Sequence, residues 1–141
     1  MLQSMVLRRI GTIARIVASV SDVKFRRFSL QKGQHIYVVR VCEHPGLNLA
    51  ELTRLLNVDK STTTKAVQKL EKAGYIIKKH PEGDRKSLVL YPTGRAKEVY
   101  RSIIDEENVR AALIFRGFDE EEKRQAMAYL DRMCYNIEEY R

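Results

Sequence analysis

Residues 48 to 86 constrain the fold of this chain more than any other segment, because two short amphipathic helices run directly into a hairpin there. Asn48 is a good N-cap for the first helix, and Glu51 completes a capping box. Asp59 is placed to cap the second helix, which Gly74 ends. Both helices show the spacings of three and four that are typical of a helix with one buried face. The first carries Leu49, Leu52, Leu55 and Leu56, and the predicted inward stripe of the second is Thr63, Ala66, Val67 and Leu70.

The hairpin follows the second helix at once. Residues 75 to 79 and 87 to 91 are predicted as short strands, and residues 80 to 84 between them have the composition of a turn. Two helices joined by a tight turn and followed by a β-hairpin are typical of a winged helix-turn-helix. In that fold the second helix enters the major groove of DNA.

Longer helices are predicted on both sides of this segment. Residues 5 to 28 carry a stripe of apolar side chains at helical spacing, and residues 35 to 43 are predicted as a shorter helix. Asn57 is expected to end the first helix of the motif in a left-handed conformation. The apolar stripe of residues 5 to 28 consists of Val6, Ile10, Ile13, Val17 and Val20. In the helix of residues 35 to 43, Ile36, Tyr37 and Val39 are predicted to face inward.

After the hairpin, Pro92 is expected to occupy the first turn of a helix that continues towards Phe115. Asp119 and Glu122 form a second predicted capping box, at the start of the last helix. The fold expected is therefore mainly α, with a small β-hairpin wing. We divide the chain into an N-terminal dimerisation helix over 1–32, a winged helix-turn-helix over 33–91 and C-terminal dimerisation helices over 92–141.

The net charge of +8 is unevenly distributed along the 141 residues. Residues 59 to 86 hold eight lysines and arginines against four acids, whereas residues 105 to 141 hold ten acids against six basic residues. A basic surface suits a phosphate polymer through counterion release, although charge alone fits a merely solvated basic surface equally well. The placement of the excess charge on the predicted motif favours a nucleic acid as the partner.

Other classes of protein find little support in the sequence. It contains no Ser-His-Asp order, no phosphate-binding loop and no HExxH motif, so we predict neither an enzyme nor a cofactor. No apolar run approaches the ~20 residues of a membrane span, and the N-terminus has too short an apolar stretch for a signal peptide. A cytoplasmic protein without membrane contact is expected.

The outward face of the second motif helix carries hydroxyl, amide and ammonium groups, which are the groups that meet base edges and phosphates. Gln68 can make a paired contact to adenine, whereas the lysines neutralise phosphate. At the wing, Arg85 and Lys86 are candidates for the minor groove, and Asp84 is expected to aim one of them through an ion pair. The helix residues predicted to contact DNA are Lys60, Ser61, Thr62, Thr64, Lys65, Gln68 and Lys69.

Four short motifs in order resemble the MarR family of transcription regulators, and the likeness extends over nearly the whole chain. They are LxxGQ at residues 30–34, VDKST at 58–62, LEKAGYI at 70–76, and DRK at 84–86 leading to Leu90-x-x-x-Gly94. The resemblance implies an obligate homodimer on a palindromic operator, with two winged domains. It also implies repression that is relieved by a small anionic or phenolic ligand, bound between the dimer helices and the winged domain.

Two positions depart from the family pattern. The wing usually reads Asp-x-Arg, and here the third position is Lys86, which lacks the planar guanidinium fork. The minor-groove contact is therefore expected to fall to Arg85 or to be weaker. Leu-Thr often precedes the helix after the wing, and here Leu90-Tyr91-Pro92 stands instead. The threonine cap is therefore expected to be missing, with Pro92 fixing the helix start through its φ angle.

A dimer is also expected on physical grounds, because the outer helices carry apolar stripes that no other predicted element can cover. A twofold axis would place two recognition helices about one DNA turn apart, roughly 34 Å. The residues predicted to form the dimer interface are Val6, Ile10, Ile13 and Val17 in the first helix and Leu130, Met133 and Ile137 in the last.

Three residues of the first two predicted helices could bind a small effector. Arg15, Tyr37 and Arg40 are candidates to line a pocket for an anionic effector, and surface or core roles for them remain open. Cys42 and Cys134 lie among apolar residues and are predicted to be inert core thiols. The three histidines are scattered, so no metal site is predicted.

Rival functions remain for a winged helix of this composition. One is a protein-interaction module, which would not need the eight basic residues between positions 59 and 86. The alternative to a sequence-specific regulator is a nonspecific nucleic-acid-binding protein without small-molecule control. Such a protein would respond to salt but prefer no sequence. An RNA-binding protein would offer exposed aromatic side chains for base stacking, and the predicted recognition face has none.

Overall fold

The computed structural model describes residues 2 to 140. These residues form six α-helices, one 3-10 turn and three short strands. The helices are α1 (Leu2–Phe25), α2 (His35–Glu43), α3 (Leu49–Leu56), α4 (Lys60–Lys72), α5 (Gly94–Ile114) and α6 (Glu120–Glu139). The 3-10 turn is Arg26–Phe28, and the strands are β1 (Leu47–Asn48), β2 (Ile76–Lys79) and β3 (Val89–Pro92).

The chain separates into two compact units, of which the first ends at Asp105 and the second begins at Glu106, within α5. The first unit holds α1, the two-helix motif, the sheet and most of α5. The second holds the end of α5 and all of α6. The functional division predicted from the sequence is drawn elsewhere and stays a prediction.

Asn48 and Asp59 cap the two helices of the helix-turn-helix as expected, but the predicted Asn48–Glu51 capping box is incomplete, because the Glu51 side chain does not bind back to Asn48. The Asn48 side chain accepts a hydrogen bond from the Glu51 N–H at 2.8 Å, and Asp59 accepts one from the Thr62 N–H at 2.7 Å. Asn57 adopts the left-handed conformation with φ 54°, so the chain turns sharply between α3 and α4. Because these signals are local, the ends of both helices could be placed from sequence alone.

The sheet contains one strand that the sequence did not predict. β3 lies in the centre and pairs antiparallel with both β1 and β2. β1 has only two residues, too few to show an alternating pattern, and its Leu47 pairs with Leu90. The N–H of Gly46 also donates to the Leu90 carbonyl at 2.7 Å. The start of α3 is therefore tied to the base of the wing.

The helix after the wing begins differently from the prediction. Pro92 is the last residue of β3, where it lies opposite Ile76, and α5 begins at Gly94. Thr93 caps this helix, because its hydroxyl oxygen accepts from the Ala96 N–H at 3.1 Å. The expected loss of a threonine cap is thus wrong. β1 does not reach Pro92, so this end of β3 has a neighbour on one side only, where a residue without an N–H is tolerated.

The hydrophobic core of the first unit gathers side chains from α2, α3, α4, the sheet and the start of α5. Three consecutive residues of α2, Tyr37 to Val39, are buried in it, because this helix packs against α3, α4 and β3. Ile36 was predicted to face inward, but it is exposed. A helix surrounded on several sides buries most of its faces, so the three-four spacing does not identify the one that points outward.

Candidate nucleic-acid interface

Helix α4 presents a continuous polar surface. The residues predicted to contact DNA are exposed along it, except Thr64, which is partly buried. The opposite face is buried through Thr63, Val67 and Leu70. The Thr62 hydroxyl is bound to the Asp59 carboxylate at 2.9 Å, and the Thr64 hydroxyl to the Lys60 carbonyl at 2.9 Å. These hydroxyls therefore offer acceptor oxygens rather than free donors.

Asp59 holds the N-terminal end of α4 in a fixed geometry. Hydrogen bonds from the N–H and the hydroxyl of Thr62 lower the pKa of its carboxyl group below the usual range. Asp59 is therefore ionised at neutral pH and anchors the first turn of the helix, where a negative charge also suits the helix dipole.

Buried hydroxyl groups join α4 to the two helices that support it. The hydroxyl oxygen of Thr53 in α3 lies 2.8 Å from that of Thr63 in α4. Tyr37 of α2 is buried, and its hydroxyl also bonds to Thr63. Burial raises the pKa of Tyr37. Tyr37, a candidate for the effector pocket from sequence, thus lies in the core behind the recognition helix. No sequence signal indicated this contact, because the three hydroxyls come from three separate helices.

The wing is closed by hydrogen bonds of its own. Asp84 accepts from the N–H groups of Lys86 at 2.9 Å and Ser87 at 3.2 Å. His80 bonds through Nδ1 to the Ser87 carbonyl at 2.9 Å, so Nδ1 carries the proton. The predicted ion pair between Asp84 and a wing cation is therefore wrong. Asp84 supports the wing through the backbone, because a short acidic side chain in a turn reaches the N–H groups two and three residues on.

The same bonds set the charge pattern at the wing tip. Hydrogen bonds from the Ser87 side chain and from the backbone of Lys86 and Ser87 lower the pKa of Asp84, with a smaller contribution from the charge on His80. The side chains of Arg85 and Lys86 are exposed. The wing therefore presents two cations on a loop held by its own backbone. The contribution of His80 was missed from the sequence, where it was assigned only to a turn.

A groove of about 880 Å³ lies beside the C-terminal half of α1. Its wall includes Arg15 and Arg26 from α1 and the adjoining 3-10 turn, and Lys32 from the loop that follows. Asp22, also on the wall, accepts a hydrogen bond from the Gly33 N–H at 3.0 Å and so holds the loop. Three cations against one committed carboxylate make this groove a suitable environment for an anion.

The other two candidates for an effector pocket lie elsewhere. Tyr37 and Arg40 are not among the residues that line this groove. Arg40 forms an ion pair with Glu43 at 3.2 Å, one turn along α2. Arg15 alone of the three predicted residues contributes to the groove.

The two cysteines have different environments. Cys42 is partly buried, and burial raises the pKa of its thiol to about 11, which suits the predicted inert role. Cys134 is exposed on α6, so its assignment to a core is wrong for this chain. Within residues 2 to 140, no group of three or more His, Cys, Asp or Glu side chains could hold a metal ion. No helix in that same range is long and apolar enough to cross a membrane.

The helix-turn-helix, its cationic recognition face and the wing define a winged-helix DNA-binding protein. The model of the MarR family matches residues 30 to 88. The chain is also 38% identical over 133 residues to YybA of Bacillus subtilis (strain 168), described as an HTH-type transcriptional regulator, with 94% of this chain and 89% of YybA covered. The chain belongs to the MarR family of transcription regulators.

Solved structures agree with this assignment. A MarR protein from Peptoclostridium difficile DA00132 is 46% identical, with a TM-score of 0.90 over 96% of this chain and 88% of that one. A MarR family transcriptional regulator from Listeria monocytogenes, solved in complex with 26mer DNA, is 38% identical with a TM-score of 0.91, over 94% and 89% of the two chains. The protein is thus a non-enzymatic DNA-binding regulator, as the sequence predicted.

Proposed function

We propose that this protein is a sequence-specific repressor that binds a palindromic operator as a homodimer and is released by a small anionic or phenolic ligand. The observation that carries the proposal is the exposed polar face of α4, held between the Asp59 cap and the buried contacts of Thr63. A rigid helix with an amide, hydroxyls and ammonium groups on one side is suited to reading a major groove. Repression follows when the operator overlaps a promoter, and we place the protein in the cytoplasm.

Roles within this face differ by chemistry. Gln68 is exposed and its amide has no hydrogen bond within the described chain, so both its donor and its acceptor are available to an adenine edge. Lys60, Lys65 and Lys69 are assigned to phosphates, which set the register of the helix without reading sequence. Arg85 and Lys86 of the wing are assigned to the adjoining minor groove.

The proposal is tested by the variant Gln68→Ala. DNA sequences that the native protein retains from a random library at ~150 mM salt, a concentration that suppresses nonspecific binding, define the operator. We expect the variant to lose discrimination at one base position per half-site, by about 1–3 kcal/mol, while nonspecific affinity is nearly unchanged. Fluorescence anisotropy with operator and single-base variants gives both quantities.

Gln125→Ala is a matched control, because Gln125 is an exposed glutamine on α6, outside the proposed interface. It should leave discrimination intact. An equal loss of affinity on all sequences for Gln68→Ala would instead favour the nonspecific alternative, as would a native protein that retains no preferred sequence.

The dimer is supported by apolar side chains left exposed on both outer helices. On α1 these are Val6, Ile10 and Ile13, with exposed fractions from 40% to 51%, and Val17 is partly buried. On α6 they are Leu130, Met133 and Ile137, with exposed fractions from 44% to 63%, and no residue of this helix is buried. Exposed apolar stripes of this kind favour a dimer, in which a second copy of the chain buries them.

Light scattering at micromolar concentration should give the mass of a dimer. Ile13→Glu places a charge within the α1 stripe and is expected to shift the protein towards monomer, because a desolvated carboxylate without a partner is costly. Thr12→Glu, which adds the same charge at the neighbouring exposed position, should remain dimeric. A monomeric native protein would contradict the dimer, and a dimeric Ile13→Glu variant would place its interface elsewhere.

The ligand proposal rests on the groove beside α1. Arg15, Arg26 and Lys32 supply charge for a carboxylate or phenolate, while Ala18, Val23 and Leu30 supply apolar wall. Benzoate and salicylate are suitable probes for calorimetric titration. We expect Arg15→Ala to weaken binding of the anion about tenfold, a charge-assisted hydrogen bond having been removed.

Arg9→Ala removes the same charge from an exposed position of α1 that does not line the groove, and should leave binding unchanged. Absence of binding by either probe, or equal affinity in the native protein and Arg15→Ala, would argue against this groove as the effector site.

A further inference from the structure

The carbonyl of Phe28 is a meeting point for two side chains that lie far from it in the sequence. Phe28 ends the 3-10 turn that follows α1. The hydroxyl of Tyr75 donates a hydrogen bond to this carbonyl, and the Arg95 guanidinium lies 3.5 Å from it. Tyr75 follows the recognition helix α4, and Arg95 lies in the first turn of α5. Three separate elements of the first unit therefore converge on one backbone oxygen.

The same side chains hold the C-terminal end of α4. Arg95 donates to the Ala73 carbonyl at 2.5 Å, and its guanidinium stacks over the Tyr75 ring at 4.4 Å from the centroid. Thr93 donates from its hydroxyl to the Gly74 carbonyl at 2.6 Å and from its N–H to the Tyr75 carbonyl at 3.1 Å. Helix C-termini leave carbonyls without intrahelical partners. Here residues at the start of α5 bind three successive carbonyls beyond α4.

Burial makes the Tyr75 bond costly to lose. The Tyr75 side chain is fully buried, and burial raises the pKa of its phenol while the charge of Arg95 opposes the shift. A buried hydroxyl without a partner is destabilising, so the ring and its bond to Phe28 fix a single arrangement. Because Tyr75 is covered by protein, it has no access to DNA.

We infer that Tyr75 and Arg95 are positioning residues that fix the orientation of the recognition helix relative to the end of α1. This inference rests on the proposed sequence-specific function. Helix α4 has 13 residues, about 20 Å of length, so a tilt of about 5° at one end moves the other by almost 2 Å. Paired contacts to a base edge do not tolerate such a shift, whereas phosphate attraction does. The contacts of Tyr75 and Arg95 with Phe28 therefore determine sequence discrimination more than they determine the general affinity for DNA.

The test measures operator and random-duplex affinity separately, with Tyr75→Phe as the first variant. It removes one oxygen atom and no charge. We expect operator affinity to fall about threefold to tenfold, while random-duplex affinity and the salt dependence stay unchanged. Tyr91→Phe, at an exposed position on the wing, is the control and should behave as the native protein.

A second variant, Arg95→Lys, keeps the charge but loses the fork that bridges Ala73 and Phe28. If Arg95 were a simple phosphate contact, lysine would largely replace it. If Arg95 is a positioning residue, Arg95→Lys should lose discrimination as Tyr75→Phe does. Arg101→Lys, further along α5, is the control and should keep it. This exposed site also keeps the inference testable if Tyr75→Phe fails to fold.

Circular dichroism at the assay temperature establishes that each variant is folded before its DNA affinity is compared. A native protein that discriminates, with Tyr75→Phe and Arg95→Lys discriminating equally well, would overturn this inference and leave the proposed function standing. Equal loss on operator and random DNA would also overturn it. A native protein without any sequence preference would remove the proposed function and the inference together.

Discussion

Replacement of Lys60, Lys65 and Lys69 by alanine in one variant should lower the affinity for any duplex by about a hundredfold at ~150 mM salt. Each lysine is exposed on the face of α4 that presents Gln68. A cation that neutralises a DNA phosphate releases about one condensed counterion, so three lost contacts per protomer reduce the binding constant and flatten its dependence on salt. The slope of log affinity against log salt should fall by about three for each protomer bound.

The measurement is a salt titration of operator and random duplex. A control variant that replaces Lys97, Arg101 and Lys123 by alanine removes the same formal charge from α5 and α6. If both variants lose affinity equally, binding depends on total charge and not on this face. If the α4 variant retains the native slope, the recognition helix does not contact phosphate.

Leu52→Ala is expected to destabilise the first unit by about 2–5 kcal/mol, the usual cost of truncating a leucine in a packed core. Leu52 in α3 is fully buried in the cluster that joins the two motif helices to the sheet. The loss combines the transfer free energy of the removed carbons with the cavity left behind, because surrounding side chains relax only partly. Urea denaturation followed by circular dichroism gives the difference in free energy of unfolding.

Leu55 offers a matched control on the same helix, one turn further along. Its side chain is 44% exposed, so Leu55→Ala removes the same atoms from a surface position. We expect a loss below about 1 kcal/mol for this variant. Similar losses for the two variants would mean that α3 is not anchored by Leu52, and that the motif is held mainly by its hydrogen bonds.

The features that could be read from the sequence are those with local causes. The bounds of α2 agree with the prediction, and the Asp119–Glu122 capping box forms both of its bonds, at 2.8 and 3.0 Å. The buried and exposed faces of α4 follow from its periodicity. Each of these features depends on side chains within one or two helical turns of each other, so the local sequence is enough to predict it.

The errors share a different origin. Ile36 faces outward because α2 is covered on several sides, and the cap of α5 is Thr93 because β3 extends through Pro92. Asp84 binds backbone N–H groups rather than a cation. In each case a neighbouring element, or a backbone geometry set by the sheet, decided between alternatives that the local pattern allowed.

The class of fold, the exposed polar face of α4 and the chemical groups on that face could be predicted from spacing within single segments. The MarR family could be predicted from a resemblance carried by four short motifs. Only the tertiary structure brought Tyr37, Thr53 and Thr63 together behind the recognition helix, and Tyr75 and Arg95 to the carbonyl of Phe28. Phe28 and Arg95 are 67 residues apart. A contact between residues so far apart in the sequence produces no periodic pattern, because it depends on how whole elements pack rather than on which residues are adjacent.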